Sequence, residues 1–385
     1  MTTTFSQICP VFFKEHASCQ TGEKAKEFHG TKAFCVCDKG ISDCGIADKI
    51  IASLEEAGIE TKLYDGVLPD APDTMIDSAA NIARNFDADI VIGIGGGSSL
   101  DAAKSISVLL DNPGPIHQYY LSKNVSFTSD TPLICIPTAS GTGSEVTNVS
   151  VVHDHVTHAK ETVIKKPSLA IVDPVLTLGL SPFTTAITAM DALSHAVEAY
   201  TTKIPNPHSD ALALYAIRLI TSNIVTAFKD GSNLEARISL SKASTLAGIA
   251  FNDAITHLGH AAAHEFGIRF QMPHGLACAL TLPVVLTFAG DALPQRSIDI
   301  AKSMELALPK DCRGKEAAKL ASEHMKFIMK ALEIPSLKKQ GITRQEAVDC
   351  ARDAYEKAFF IAYTPRRITV PQLAELIGQM YDTYQ

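Results

Sequence analysis

The sequence predicts an α/β half followed by an all-α half, and three observations carry that prediction. Over the first 180 residues short β-branched runs alternate with helix-like segments, the pattern of helices packed on a largely parallel sheet. After Ser181-Pro182 long Ala/Leu-rich stretches of helical texture take over. Within the first half a glycine-rich turn at 93–97 joins an apolar strand to a helix, the local design of a phosphate-binding loop. We therefore expect an N-terminal α/β dinucleotide-binding domain over 1–180 and an all-helical C-terminal domain over 181–385, with a ligand in the crevice between them.

The elements follow in order. Residues 32–37 (KAFCVC) read as a strand, 46–57 as an amphipathic helix stopping before Gly58, and 61–64 as the next strand. Residues 73–85 are helical. Residues 89–94 (DIVIGI) form a strand whose near-continuous apolar character fits burial on both faces. A helix over 99–110 opens behind the glycines, and 132–136 (PLICI) and 169–172 (LAIV) are further buried strands. The cluster VVHDHVTH at 151–158 reads as a solvated hairpin. Two prolines in 201–208 (TTKIPNPH) break the 3.6-residue period and mark a loop.

Composition removes several function classes. With 46% hydrophobic and 20% charged residues among 385, the chain can bury a large core and is not disordered. A formal net charge of −8 leaves no basic surplus to neutralise a phosphate backbone or anionic lipid, so neither nucleic acid nor membrane is an expected partner. We find no basic leader and no apolar run approaching the roughly 20 residues of a membrane span. Nine cysteines, an odd number, suggest reduced and mostly buried thiols in the cytoplasm. No cysteine is read at metal-ligand spacing.

Two loops point to a nucleotide. In Gly93-Ile94-Gly95-Gly96-Gly97-Ser98-Ser99, glycines let backbone amides approach an anion at a helix N-terminus, although Ser98 stands where the GxGxxG pattern has its last glycine. Pro137-Thr138-Ala139-Ser140-Gly141-Thr142-Gly143 follows another strand, so a second set of hydroxyls lies at a carboxyl edge, where open α/β sheets bind ligands. Asp38 closes the strand 32–37. A carboxylate there accepts hydrogen bonds from a ribose 2′-hydroxyl and repels a 2′-phosphate, which favours NAD over NADP; a turn or cap role is the alternative.

Histidines carry the second signal. Asp191 and His195 are four apart, as are His260 and His264, and each pair shares one helical face. His274 follows after a turn. Asp191, His195, His260 and His274 make a mixed oxygen and imidazole set suited to Fe2+ or Zn2+, which makes the C-terminal half a metal-binding one and leaves His264 to bond substrate or relay a proton.

These pieces resemble the iron-containing, group III metal-dependent alcohol dehydrogenases: GGGSSLDAAK at 95–104, PTASGTGSEVT at 137–147, AIVDP at 170–174, MDALSHAVEAY at 190–200, and FNDAITHLGHAAAHEFG followed by MPHG at 272–275. The resemblance implies a dehydroquinate synthase-like two-domain fold and a homodimer. It implies metal ligands Asp191, His195, His260 and His274, with His264 facing substrate. It assigns Gly95, Gly96, Gly97, Ser98 and Asp101 to the pyrophosphate loop, Thr138 and Thr142 to the second cofactor loop, Lys160 to the ribose side, and Asp38 to NAD selection. The implied activity is interconversion of a small aldehyde and its alcohol with NAD(H).

His257 and Arg269 depart from the family pattern, and as polar groups near the metal segment they suggest an anionic substrate such as sulfoacetaldehyde, reduced to isethionate. A general short-chain alcohol or diol dehydrogenase without anion preference is the alternative. A cyclising lyase resembling dehydroquinate synthase would need more basic residues around the metal segments, and a non-catalytic dinucleotide- or metal-binding protein would show no turnover.

Overall fold

The computed structural model of the chain describes residues 4–385, which divide into two compact units. Residues 7–139 and 143–178 form an α/β unit. Residues 4–6, 140–142 and 179–385 form a helical one.

The α/β unit runs β1 (Val11–Phe13), α1 (Thr21–Glu27), β2 (Lys32–Val36), α2 (Lys39–Asp43), α3 (Ile46–Glu56), β3 (Glu60–Tyr64), α4 (Asp73–Asn85), β4 (Ile90–Gly95), α5 (Gly97–Asp111), β5 (Leu133–Pro137), β6 (Val149–His153), β7 (Lys160–Ile164) and β8 (Leu169–Val172). Six strands form a parallel sheet in the order β1-β8-β5-β4-β2-β3, while β6 and β7 pair separately as an antiparallel hairpin. Alternation along β2 sends Phe34 and Val36 to a core that includes Ile76 of α4 and Ile106 of α5. Cys35 and Cys37 face the opposite core, with Ile50 and Leu54 of α3. Burial on both faces is why β4 and β5 read as unbroken apolar runs.

The chain leaves β2 toward β3 on one side and returns to β4 on the other. The carboxyl ends of β2 and β4 therefore flank the point where strand order reverses, the place where such sheets bind nucleotides. Asp38 and the glycine turn stand there.

The helical unit contains α6 (Pro182–Thr201), α7 (Pro207–Lys229), α8 (Leu234–Ala254), α9 (Leu258–Phe270), α10 (His274–Ala292), α11 (Pro294–Ser303), α12 (Gly314–Ala331), α13 (Arg344–Lys357) and α14 (Val370–Thr383). Its start is encoded locally. Ser181 Oγ accepts from Thr184 N at 3.0 Å, and Pro182 fills the first helical position, where a missing N–H costs nothing. Alanines and leucines of α6, α8, α9 and α10 share one core. Helices α7 and α10 are long and apolar enough to cross a membrane by length and composition, but α10 is mostly buried inside this unit.

Candidate active site

The glycine turn shows why glycine is required. Gly95 has φ +143°, and a Cβ there would stand 2.7 Å from Ser99 Cβ and Oγ. Helix α5 begins immediately afterward, so the amides of Gly97, Ser98 and Ser99 belong to a first turn without intrahelical acceptors, a natural seat for pyrophosphate. Thr138 N donates to Gly95 O at 3.1 Å, which holds the second loop's start beside the turn. Asp38 is a helix cap that also reaches the glycine turn. Its Oδ1 accepts from Ile41 N and caps α2, and its Oδ2 accepts from Ser99 Oγ at 3.2 Å, at the glycine turn. Lys160 reaches the same region, with Nζ 2.9 Å from Asp70 Oδ1, and the Asp70 amide donates to Ser98 Oγ at 3.1 Å.

Asp101 is placed differently from the expectation. Its Oδ1 accepts from Ser144 Oγ at 2.7 Å and its Oδ2 from Val151 N at 3.1 Å, with Lys104 Nζ 3.7 Å away. Burial pushes this carboxyl above its usual range, although Lys104 opposes that shift. It braces α5 against the segment leading into β6, and its charge would repel a pyrophosphate rather than hold one. Lys104, which the motif reading passed over, is fully buried and donates to Ser144 Oγ and Val149 O at 2.7 Å each. Thr142 lies in the 140–142 segment that packs with the helical unit, where Ser140 Oγ and Ser241 Oγ are 3.0 Å apart.

The histidine cluster assembles in the helical unit. Asp191, His195 and Glu198 are all buried along α6. His260 sits in the first turn of α9 and His274 opens α10. Two glycines permit these approaches. A Cβ at Gly275 would lie 2.3 Å from Ile187 O of α6, and one at Gly259 would lie 2.6 Å from Val285 and 2.9 Å from Glu198 Oε1.

Around Asp191 Oδ1 stand His195 Nε2 at 3.8 Å, His260 Nε2 at 3.8 Å and His274 Nε2 at 3.5 Å. None is at hydrogen-bond distance, and Asp191 Oδ1 is buried with no hydrogen-bond partner among the described residues. Nitrogen and oxygen donors about 2.0–2.2 Å from a tetrahedral ion lie roughly 3.3–3.6 Å apart, so these separations suit a shared cation far better than direct bonds. The donor set fits a divalent metal.

Charge points the same way. Burial works to raise the Asp191 carboxyl, but His195, His274 and His260 together hold it far below the ordinary range. Burial pushes His195 down to about 4, which keeps that ring neutral with a free lone pair. Burial also opposes charge on His260, yet Cys278, Glu198 and Asp191 hold its pKa well above the usual value when no cation is present. Such a pocket of buried negative charge calls for a positive partner.

Glu198 was also missed by motif reading. It is fully buried and accepts from Gly259 N at 2.6 Å, His260 N at 3.2 Å and His260 Nδ1. Burial tends to raise its carboxyl, but His257 and His260 bring it down to about 2. A carboxylate on the far ring nitrogen orients a metal-binding histidine and fixes its tautomer. Its position, three residues after His195 on the same helix, was the available signal.

Three further placements correct expectations. His257 is fully buried, with Nε2 2.9 Å from Thr201 Oγ1 and Nδ1 3.3 Å from Glu198 Oε1, so both ring nitrogens face the protein and neither is offered to a substrate. Arg269 is 40% exposed at its side chain and reaches Asp349 of α13 at 4.0 Å. It lies five residues after His264, about 140° around the helix, so it does not share that residue's face. Cys278, by contrast, joins the donor group: one ligand atom each of Asp191, His260, His274 and Cys278 lie within 4.8 Å of one another. His264 stands beside them, its ring 5.4 Å from that of His274 and 5.1 Å from Phe360.

An amide-lined turn at the switch point of a parallel sheet and a cation-binding donor set on a following helical unit define the class: metal-dependent oxidoreductases that use a dinucleotide. The first-half family model that matches, over residues 10–174, is the iron-containing alcohol dehydrogenase; the C-terminal model of the same family matches 185–381. The chain belongs to the iron-containing alcohol dehydrogenases and is an alcohol dehydrogenase or aldehyde reductase of that family. It is 40% identical to 1,3-propanediol dehydrogenase of Klebsiella pneumoniae over 298 residues, 76% of this chain and 77% of that one. It is 33% identical to sulfoacetaldehyde reductase of Bilophila wadsworthia over 368 residues, 94% and 95% of the two chains. A solved 1,3-propanediol oxidoreductase superposes with TM-score 0.93 at 35% identity over 98% of this chain and 100% of that one. Sulfoacetaldehyde reductase from Bifidobacterium kashiwanohense in complex with NAD+ gives 0.91 at 26%, covering both chains fully.

Proposed function

We propose that the chain interconverts a small primary alcohol or diol and its aldehyde with NAD(H), using a metal held by Asp191, His195, His260 and His274. The observation that carries this is the ring of three imidazole nitrogens 3.5–3.8 Å from an otherwise unpartnered, buried Asp191 Oδ1. When bound, a divalent cation supplies a Lewis acid for the alcohol or aldehyde oxygen, and the nicotinamide supplies or accepts the hydride. Glu198 keeps the proton of His260 on Nδ1 and leaves Nε2 as the donor. His264 is the ring placed to exchange the proton of the substrate oxygen. The first-turn amides of α5 hold the pyrophosphate, and Asp38 favours a free 2′-hydroxyl. The acidic chain, with all nine cysteines free, suits a reducing cytoplasm, and as in the family resemblance we expect a homodimer.

The test is NADH oxidation over an aldehyde panel with metal-loaded and chelated protein. Turnover of propanal or 3-hydroxypropanal that vanishes on chelation and in His274→Ala supports the proposal; turnover unaffected by both overturns it. A second reading, reduction of the anionic sulfoacetaldehyde, keeps the support of a 33% identical reductase spanning 94% of the chain, although His257 and Arg269 no longer argue for it. A kcat/KM for sulfoacetaldehyde above that for propanal would establish it.

A further inference from the structure

We propose that Cys278 supplies a sulfur donor to this metal site, so that the chain offers thiolate beside carboxylate and imidazole and holds zinc in preference to harder ions. The inference rests on the proposed metal site. Three observations carry it. Cys278 lies four residues after His274 on α10, so both side chains leave one face of the helix. Its sulfur is 3.5 Å from His274 Nε2 and 3.7 Å from His260 Nε2. Around an ion whose shell expands to five donors, with sulfur at about 2.3 Å and nitrogen at about 2.0–2.1 Å, neighbouring donors lie about 3.1–3.8 Å apart. Finally, the thiol is fully buried and its sulfur belongs with Asp191, His260 and His274 within a 4.8 Å group, whereas His195 reaches that group through Asp191 Oδ1.

The same distances suit a weak S–H···N contact, and the chemistry separates the two. A coordinated sulfur gives up its proton to solvent when the cation enters, and soft thiolate selects zinc over magnesium or manganese. A thiol that merely touches two rings does neither.

Cobalt(II) reads the difference directly. The full-length protein, stripped with chelator and reloaded with cobalt, should show visible d–d bands together with a near-ultraviolet thiolate-to-cobalt charge-transfer band. In Cys278→Ser and Cys278→Ala the charge-transfer band should be lost while the d–d bands persist, which also shows that the site remains folded. Zinc affinity against a chromophoric chelator should fall by about tenfold or more, since even partners behind the ligands are worth that much. Manganese affinity should change less than twofold. Visible bands with no charge-transfer band in the parent protein, or one that survives both substitutions, overturns the assignment of Cys278 and leaves the metal site standing. Absence of any cobalt spectrum in the parent protein overturns both.

Discussion

Glu198→Gln tests whether the carboxylate behind His260 sets the metal site. The substitution keeps volume but exchanges one acceptor oxygen for an NH2 group. If the NH2 takes the place of Oε2 it confronts His260 N and the Nδ1 proton; at Oε1 it confronts Gly259 N, 2.6 Å away, and His257 Nδ1 at 3.3 Å. In the first orientation His260 must tip or change tautomer, which takes Nε2 out of the group around Asp191. In the second the amide of Gly259 meets a donor, and the first turn of α9, which carries His260, must shift. Partners of this kind are worth 10–100-fold in metal affinity, about 1.4–2.7 kcal/mol. Leaving a buried N–H unmet costs the fold a further ~1–3 kcal/mol. Zinc competition against a chromophoric chelator reads the first quantity, and thermal unfolding in excess chelator reads the second. A variant that melts lower without metal yet binds zinc within twofold of the parent would refute the reasoning, because Glu198 would then support only the fold.

Three other outcomes follow from the geometry. Gly275→Ala puts a methyl 2.3 Å from Ile187 O, a backbone atom, so α10 must shift; we expect a loss of ~1–3 kcal/mol in stability together with lower bound metal, read by calorimetry and metal analysis. Asp38→Ala removes the charge beside the glycine turn and should narrow the NADH-over-NADPH ratio of kcat/KM at least about tenfold, some 1.4 kcal/mol; an unchanged ratio would reduce Asp38 to a helix cap. Arg269→Ala should leave the ratio of kcat/KM for sulfoacetaldehyde over propanal within twofold, since its partner is Asp349 of α13; a collapse of that ratio would return Arg269 to the substrate site.

The sheet and the clustering histidines were readable in the sequence for the same reason: period. Strand β4 is buried at every position, and DIVIGI is apolar at nearly every position; α4 begins and ends at the expected residues. Strand β1 escaped notice because three residues behind a proline carry no period, and only pairing with β8 makes them a strand. Helix α5 starts at Gly97 rather than 99, since a glycine in the first turn reads as loop. Pairs four apart on one helix announced Asp191 with His195. Glu198 and Cys278 also stand at helical spacing from His195 and His274, three and four residues on, but a carboxylate or thiol at such spacing is common. What marks these two is contact with His260 of α9, which no spacing along α6 or α10 expresses. His257 misled for the converse reason. It is close to His260 along the chain, but the loop turns its ring toward Thr201 and Glu198.

The donors of the helical unit come from α6, α9 and α10, with Asp191 some 70 to 80 residues of chain from His260 and His274, and they come within 4.8 Å of one another. A cation held by all three, as proposed, would be a removable staple and would act on the folding equilibrium as any native-state ligand does. At free metal a hundredfold above its dissociation constant the staple adds about 2.7 kcal/mol to the unfolding free energy, and at a thousandfold about 4.1 kcal/mol. Through such a site metal supply would enter the lifetime of the protein as well as its turnover number. Were metal scarce, the helical unit would forfeit that contribution, whereas the strands of the sheet bear none of these donors.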